Sequence, residues 1–502
     1  MRVAVHDATV RAPAEPRTDS TPARGDVRTW HLSLLLGMVA LAWVVFAWAL
    51  VAQHRAHNSN AFDLGFFDQI IWNTSQGRWF QTSFVDYNFL GQHMQPVLLL
   101  FAGLYRIRPA VEILLLVQAA VVAGAAVPLY IAARRLLATA SAALLVAGAY
   151  LIAPHLHGAV LFDFHPELMG AAGIFGSLAL LAVGRPSWAM AAFVTVFLLK
   201  EDAALAGAGF SVVVWILGYR RTAVALCAAS LLYLTLTAGV IMPALRDRPG
   251  DLQERYGYLG ADNRTAVTTV LRHPDRVAEH LGGRPQRQAL SYLLATTALL
   301  PLVTPAALAA APLLAANLLS THPAQHDLTL HYPALSHALV FVAALLGIRG
   351  LARSRRATGR LSRLPAGTVT TALAGLLFAT SAITWAFGSP LGLRMFDADR
   401  YRQTAHDQAV ERVIAAVPPD AAVSAQSGLL PHLSQRRDIW EFPRLERAEY
   451  VIIDRTAWRT SQSDAAGFER TFHSLPAFGY CPVLTDDGVT LYRRSRSCAS
   501  PL

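Results

Sequence analysis

Lysine is almost missing from these 502 residues: Lys200 is the single one, so 42 of the 43 basic side chains are arginine. Charge of either sign is scarce, at 15% of residues, where soluble domains carry about 25%. With 54% hydrophobic residues and a mean hydropathy of +0.37, that shortage argues against an ordinary cytosolic enzyme. It also excludes disorder, which needs low hydrophobicity and high charge. Cysteine is limited to three residues, and none of them forms a zinc-type cluster. Cys227 lies in an apolar block, while Cys481 and Cys498 lie near the C-terminal end and could pair where oxidation is permitted. No internal repeat is visible. No aromatic-basic motif or basic helix accompanies the net charge of +10, so nucleic acid is not an expected partner.

What the chain has is long apolar runs. Residues 30–52 carry no charged side chain, and about 20 apolar residues cross a bilayer as a helix. The run is too long for a signal peptide and lacks a small-residue cleavage site, so it reads as an uncleaved anchor behind a disordered tail, 1–29. Further blocks at about 111–133, 140–154, 167–184, 186–200, 202–218, 222–242, 289–301, 305–320, 333–348 and 366–388 bring the expected spans to eleven. The 289–320 block reads as two short spans turning at Pro301 to Pro305. Arginine in short loops marks the cytoplasmic side. Arg134 and Arg135, Arg185, Arg220 and Arg221, and the Arg349–Arg363 cluster fall in alternate loops. The opposite face then holds outer loops 53–110 and 243–288, segments 155–166 and 321–332, and everything after 389. The expected fold is a mostly α, polytopic helical protein of the plasma membrane with a cytoplasmic N-terminus, a transmembrane domain over 30–388 and a small extracytoplasmic α/β domain over 389–502. In that last part, residues 403–417 have helical periodicity and stop at Pro418 and Pro419. Strands are expected at Ala422–Ser424, Tyr450–Asp454 and Thr490–Arg493.

Four polar clusters fall on the expected outer face. The first follows the first span: Asp63, Asp68, Gln69, Asn73, Asp86 and His93 among aromatics. On one helix the two aspartates would differ by about 140° and need not share a face. The plain alternative is that an Asp there is a helix N-cap and the aromatics an interfacial belt. The second is His155, His157, Asp163, His165 and Glu167 within thirteen residues. Imidazole and carboxylate suit a divalent metal, with Asp163, His165 and Glu167 as the ligand set, although the spacing matches no fixed motif. The plain alternative is a solvated, capped loop. The third is Lys200, Glu201 and Asp202 inside an apolar stretch. Ionisable groups beside a span tend to face a cavity, and Lys200 can hold a phosphate as a point charge. A hydrated turn would also place them there. The fourth is His322, His326, Asp327, His331 and Tyr332, or simply an exposed loop that titrates near neutrality. Arginine alone assigned the topology, yet all four clusters land on one face. A polar pocket roofed by a soluble domain is the simplest arrangement.

At these residues the chain resembles a bacterial polytopic membrane family catalogued as domain of unknown function 2079. The matching stretches are 62–69 (FDLGFFDQ), 91–96 (GQHMQP), 163–167 (DFHPE), 200–202 (KED), 331–334 (HYPA) and 423–436 (VSAQSGLLPHLSQR). That family is similar in layout to the GT-C glycosyltransferases, which take a sugar from a polyprenyl-phosphate carrier and invert its anomeric centre. The resemblance implies Asp63 as general base, with Asp68 second. It implies a polyprenyl-phosphate sugar as donor and a cell-envelope acceptor as partner, and it is a fold-level analogy. The residues suit such chemistry. A carboxylate can take the acceptor proton, and Lys200, a histidine or a bound cation can stabilise the departing phosphate. Gln69, His93, Glu201, Asp202, His331 and Tyr332 are expected to help bind the substrate. The first outer loop lacks an obvious paired Asp-Glu or Asp-x-Asp. Two other classes compete. A transporter or flippase usually shows repeats and midplane ion sites, neither of which is evident. An envelope scaffold would need no buried carboxylate.

Overall fold

The structure is a computed structural model and describes residues 30–246, 255–327, 330–354, 364–388, 398–456 and 465–495. The N-terminal tail, most of the Arg349–Arg363 cluster and Cys498 lie outside the described residues. Cys481 is disulfide-bonded, and Cys227 is a free thiol.

Apolar blocks become helices because a chain in lipid must satisfy its backbone internally. Among the described residues, five helices are long and apolar enough to cross a membrane: Trp30–Arg55, Glu112–Leu137, Arg220–Ala244, Ala334–Ser354 and Ala366–Phe387. The bent pair Ala140–Leu151 and Pro154–Val160, turned by 43°, would make a sixth. The expected eleven spans are therefore not all of span length. Blocks 166–182, 186–197 and 203–216 form shorter apolar helices. The 289–320 block forms no span-length helix. It runs as Arg284–Thr296, two 3-10 turns at Leu300–Val303 and Pro305–Ala309, and Ala311–Leu318, because prolines 301, 305 and 312 interrupt the ladder.

Burial sorts the helices. Ala334–Ser354 is 78% buried and central, whereas Arg220–Ala244 is 17% buried and Trp30–Arg55 is 28% buried. The exposed faces of those two carry Leu36, Leu41, Trp48, Leu231, Leu232 and Val240, as a surface that meets hydrocarbon would. The broken 289–320 segment packs on the central helix through Gly347. A Cβ there would come 2.2 Å from the Leu300 carbonyl oxygen.

The C-terminal part is a five-stranded sheet of order β2-β1-β3-β5-β4. Its strands are β1 (Val423–Ala425), β2 (Ile439–Glu441), β3 (Tyr450–Asp454), β4 (Tyr480–Asp486) and β5 (Val489–Arg494). The β1 strand pairs in parallel with β2 and β3, while β5 is antiparallel to β3 and β4. Helix Ala405–Ala415 opens with a capping box between Thr404 and Asp407. This domain sits on the end of the first span. Arg400 donates to Gln53, Asn58 to the Arg400 carbonyl, and His432 to the His54 carbonyl.

Candidate functional site

Asp63 lies in a one-turn π-helix, Ala61–Gly65, that leads into helix Phe66–Ser75. No side chain caps either element, so neither Asp63 nor Asp68 is an N-cap. The turn is held by the C-terminal sheet domain. Ser427 accepts from the Ala61 N–H at 3.2 Å, and Gly65 lies so close to the Leu430–Pro431 backbone that a Cβ would come 3.3 Å from the Pro431 nitrogen. Asp63 is thereby aimed at His165, with Oδ1 3.2 Å from Nε2.

His165 comes from a loop that a single glutamine grips on two sides. Gln118, from the Glu112–Leu137 span, donates to the Asp163 carbonyl at 2.9 Å and accepts the His165 N–H at 2.7 Å. Asp163 takes a positive φ of 91°, a conformation that costs a non-glycine residue about 1–3 kcal/mol and is held by these contacts. The ring of His165 stacks on His331 at 3.7 Å and 12°. His331 Nε2 stands 3.8 Å from Glu167 Oε1, which also accepts from Lys200 at 3.1 Å. Gln95 reaches the second Glu167 oxygen at 3.4 Å. Lys200 lies over the Tyr332 ring at 5.9 Å. Beside it, Glu201 accepts from the Met94 N–H and contacts His93 Nδ1, both at 2.9 Å. Residues from the first loop, 163–167, 200–202 and 331–332 thus form one polar chain, Asp63–His165–His331–Glu167–Lys200.

The electrostatics follow from burial. His331 is held well below the usual imidazole range, first by burial and then by His165 and Lys200. Burial opposes charge on Lys200, but Glu167, Asp202 and Glu201 outweigh it and raise the ammonium above its ordinary value. Burial, then the neighbouring Asp63 charge, pushes Asp163 upward against donation from the Asn60 N–H and side-chain amide. Asp163 is therefore the second carboxylate beside Asp63, which the first loop by itself lacks. Burial raises Asp202, while His93 and Lys200 overcome burial to lower Glu201.

Several expected site residues lie elsewhere. Asp68 is fully buried and accepts from Tyr105 and Ser434 at 2.6 Å and from Gln435 at 3.2 Å. Burial pushes it up to about 6, even though those bonds pull downward. Gln69 is engaged by Thr82, Ser83 and the carbonyls of Arg436 and Arg437. Both residues bind the outer domain to the first loop. His155 and His157 lie buried in helix Pro154–Val160, not in a solvated loop. The expected metal set does not converge. Asp163 turns to Asn60, His165 to Asp63, and Glu167 to Lys200. Among the described residues no group of three or more His, Cys, Asp or Glu is placed to hold a metal ion. Sequence reasoning missed Gln95, Gln118 and Asn60. Gln118 had a signal, being a lone amide inside an apolar span. Two open cavities share no lining residue with the polar chain, one between the first loop and the C-terminal domain and one at Tyr258, His280 and His326.

A family model described as "Predicted membrane protein (DUF2079)" matches residues 53–491. Two crystal structures of ArnT from Cupriavidus metallidurans, one bound to undecaprenyl phosphate and one in the apo state, each align with a TM-score of 0.49. They share 11% and 12% identity with this chain, covering 95% and 94% of it and 100% and 99% of their own lengths. No curated protein sequence matches.

Proposed function

The chain belongs to the DUF2079 family of predicted membrane proteins, and from that premise and the polar chain we propose that it is a membrane glycosyltransferase. It moves a sugar, with inversion, from a polyprenyl-phosphate carrier to an acceptor outside the plasma membrane, with its N-terminus cytoplasmic. The observation that carries this reading is the placement of Asp63. It is a partly exposed carboxylate, its side chain 17% accessible, with Oδ1 on a buried histidine and Asp163 beside it.

In the proposed reaction, Oδ2 of Asp63 takes the proton of the acceptor hydroxyl. The acceptor oxygen bonds to the anomeric carbon from the side opposite the carrier. The carbon–oxygen bond to phosphate breaks, and its electron pair leaves with the phosphate. His165 donates its Nε2–H to Oδ1 and positions the base. Lys200 spends one N–H on Glu167 and has others to offer the departing charge. The exposed apolar faces of Trp30–Arg55 and Arg220–Ala244 suit a carrier that arrives through the bilayer. Asp68 and Gln69 are positioning residues in this scheme, since they hold the outer domain over the Asp63 turn. No step passes through a metal.

Asp63→Asn tests the proposal. In proteoliposomes loaded with a radiolabelled polyprenyl-phosphate sugar, transfer should fall by roughly 10²–10⁴, with carrier binding retained. Undiminished transfer removes Asp63 as the base.

A further inference from the structure

An open groove of about 460 Å³ runs between the first outer loop and the outer domain, in the segments around Arg78–Asn88 and Arg437–Arg447. Its size falls in the range of small-molecule sites, and its wall is mainly polar. Four arginines line it, Arg78, Arg437, Arg444 and Arg447, against three carboxylates. The carboxylates are spent on two of the arginines. Asp438 pairs with Arg447, while Glu446 and Asp86 lie 3.4 and 3.6 Å from Arg444. Among the described residues, the Arg78 guanidinium meets the neutral Asn73 oxygen, at 2.8 Å, and the Trp72 face, at 5.0 Å, and forms no ion pair. The Arg437 guanidinium has no partner among the described residues. Both line the same groove, and burial, then Arg437, lowers Arg78 against the opposing charge of Asp438. Two guanidinium groups lining one groove, neither of them in an ion pair among the described residues, form a site for an anion.

The groove is built firmly and lies next to the polar chain. Ser83 exchanges hydrogen bonds with the Ile439 backbone at 2.6 and 2.9 Å, and Arg444 donates to the Phe84 carbonyl at 2.9 Å. Phe84 meets Phe62 edge-on at 5.4 Å, and Phe62 directly precedes Asp63. The remaining lining mixes acceptors and donors, including Tyr87 and Asn88. Sugar hydroxyls need both. The three wall carboxylates would repel a dense polyanion and leave one anionic group per binding unit as the best match.

We propose that this groove binds the acceptor of the reaction as an acidic glycan, its carboxylate or phosphate held by Arg78 and Arg437 and a hydroxyl carried toward Asp63. This rests on the glycosyltransferase reading for the word acceptor, and on the groove alone for binding.

The test uses the full chain in nanodiscs and calorimetry with trigalacturonate, glucose 6-phosphate, maltotriose and a triglutamate peptide. Expected is binding of one or both acidic sugars, identifying the acid preferred, with maltotriose at least tenfold weaker. Arg437→Gln, which removes an exposed and unpartnered side chain, should weaken binding at least tenfold, and Arg78→Gln/Arg437→Gln further. Arg134→Gln, on the opposite end, should change nothing. Failure of both acidic sugars to bind, indifference to Arg437, or equal binding of triglutamate overturns the proposal. Arg437-dependent binding in a protein with no sugar transfer upholds the groove and removes the glycosyltransferase reading. Transfer that ignores Arg437 at low acceptor concentration does the reverse.

Discussion

Lys200 and Glu167 are a buried pair whose structural role can be separated from the chemical one proposed for Lys200. Lys200 is 8% exposed and Glu167 4%. Removing one partner of such a pair costs about 3–5 kcal/mol because the other charge stays buried and uncompensated. Lys200→Met should therefore lower the unfolding midpoint in detergent, and Lys200→Met/Glu167→Gln should recover most of that loss. Sugar transfer should recover in neither variant, with the apparent KM for the carrier raised in both. Transfer restored along with stability would leave Lys200 a purely structural residue. Asp68 makes the contrast. It too is a buried acid, but its three donors come from a helix and from the outer domain, which is the environment of a fastening.

At the scale of elements, close approach matters more than propensity. Gly347 is in the interior of the central helix, where glycine is weaker than alanine by about 1 kcal/mol. It is nevertheless required, because the Leu300 carbonyl occupies the place of a side chain. Gly350, three residues on, has open space. Gly347→Ala should destabilise by about 1–3 kcal/mol and Gly350→Ala should not. Thermal unfolding of the two variants in one detergent checks this, and equal midpoints would place the broken 289–320 segment elsewhere. The same comparison explains why that segment misled the sequence reading. Its composition is that of spans, but its prolines make short turns that need a neighbouring helix to lie on.

Across the whole molecule, the C-terminal sheet domain is docked through histidines. His432 stacks on His54 at 4.1 Å and 5°, and lies 4.2 Å from His57, whose Nδ1 meets Asp407 at 3.1 Å. Burial, then His54 and His57, holds His432 well below the ordinary imidazole range. The folded state thus binds fewer protons than the unfolded one. Its contribution is fully present above about pH 6.5 and is lost as pH falls toward the lowered folded value. Hydrogen exchange in 426–436, corrected for intrinsic rates, should accelerate from pH 7.5 to 5. His432→Gln should flatten that response. A junction equally protected at both pH values would sink this account.

Much of the fold was legible without coordinates. Apolar runs announce a membrane protein because hydrocarbon admits only backbone that satisfies itself. Helix Ala405–Ala415 and strands β1, β3 and β5 stand within a few residues of where periodicity and turn signals put them. The clusters at 63–68, 163–167, 200–202 and 331–332 were visible because polar groups at the ends of apolar runs are conspicuous. Their roles were not. Asp63 and Asp68 are five positions apart and equally acidic, yet one meets His165 and the other Ser434. The partner of each lies about a hundred or more residues away in the chain. Composition and local periodicity decide which segments enter lipid and which stay polar. Which carboxylate remains reachable and which is sealed under a domain is set by long-range packing, and only the tertiary structure decided that.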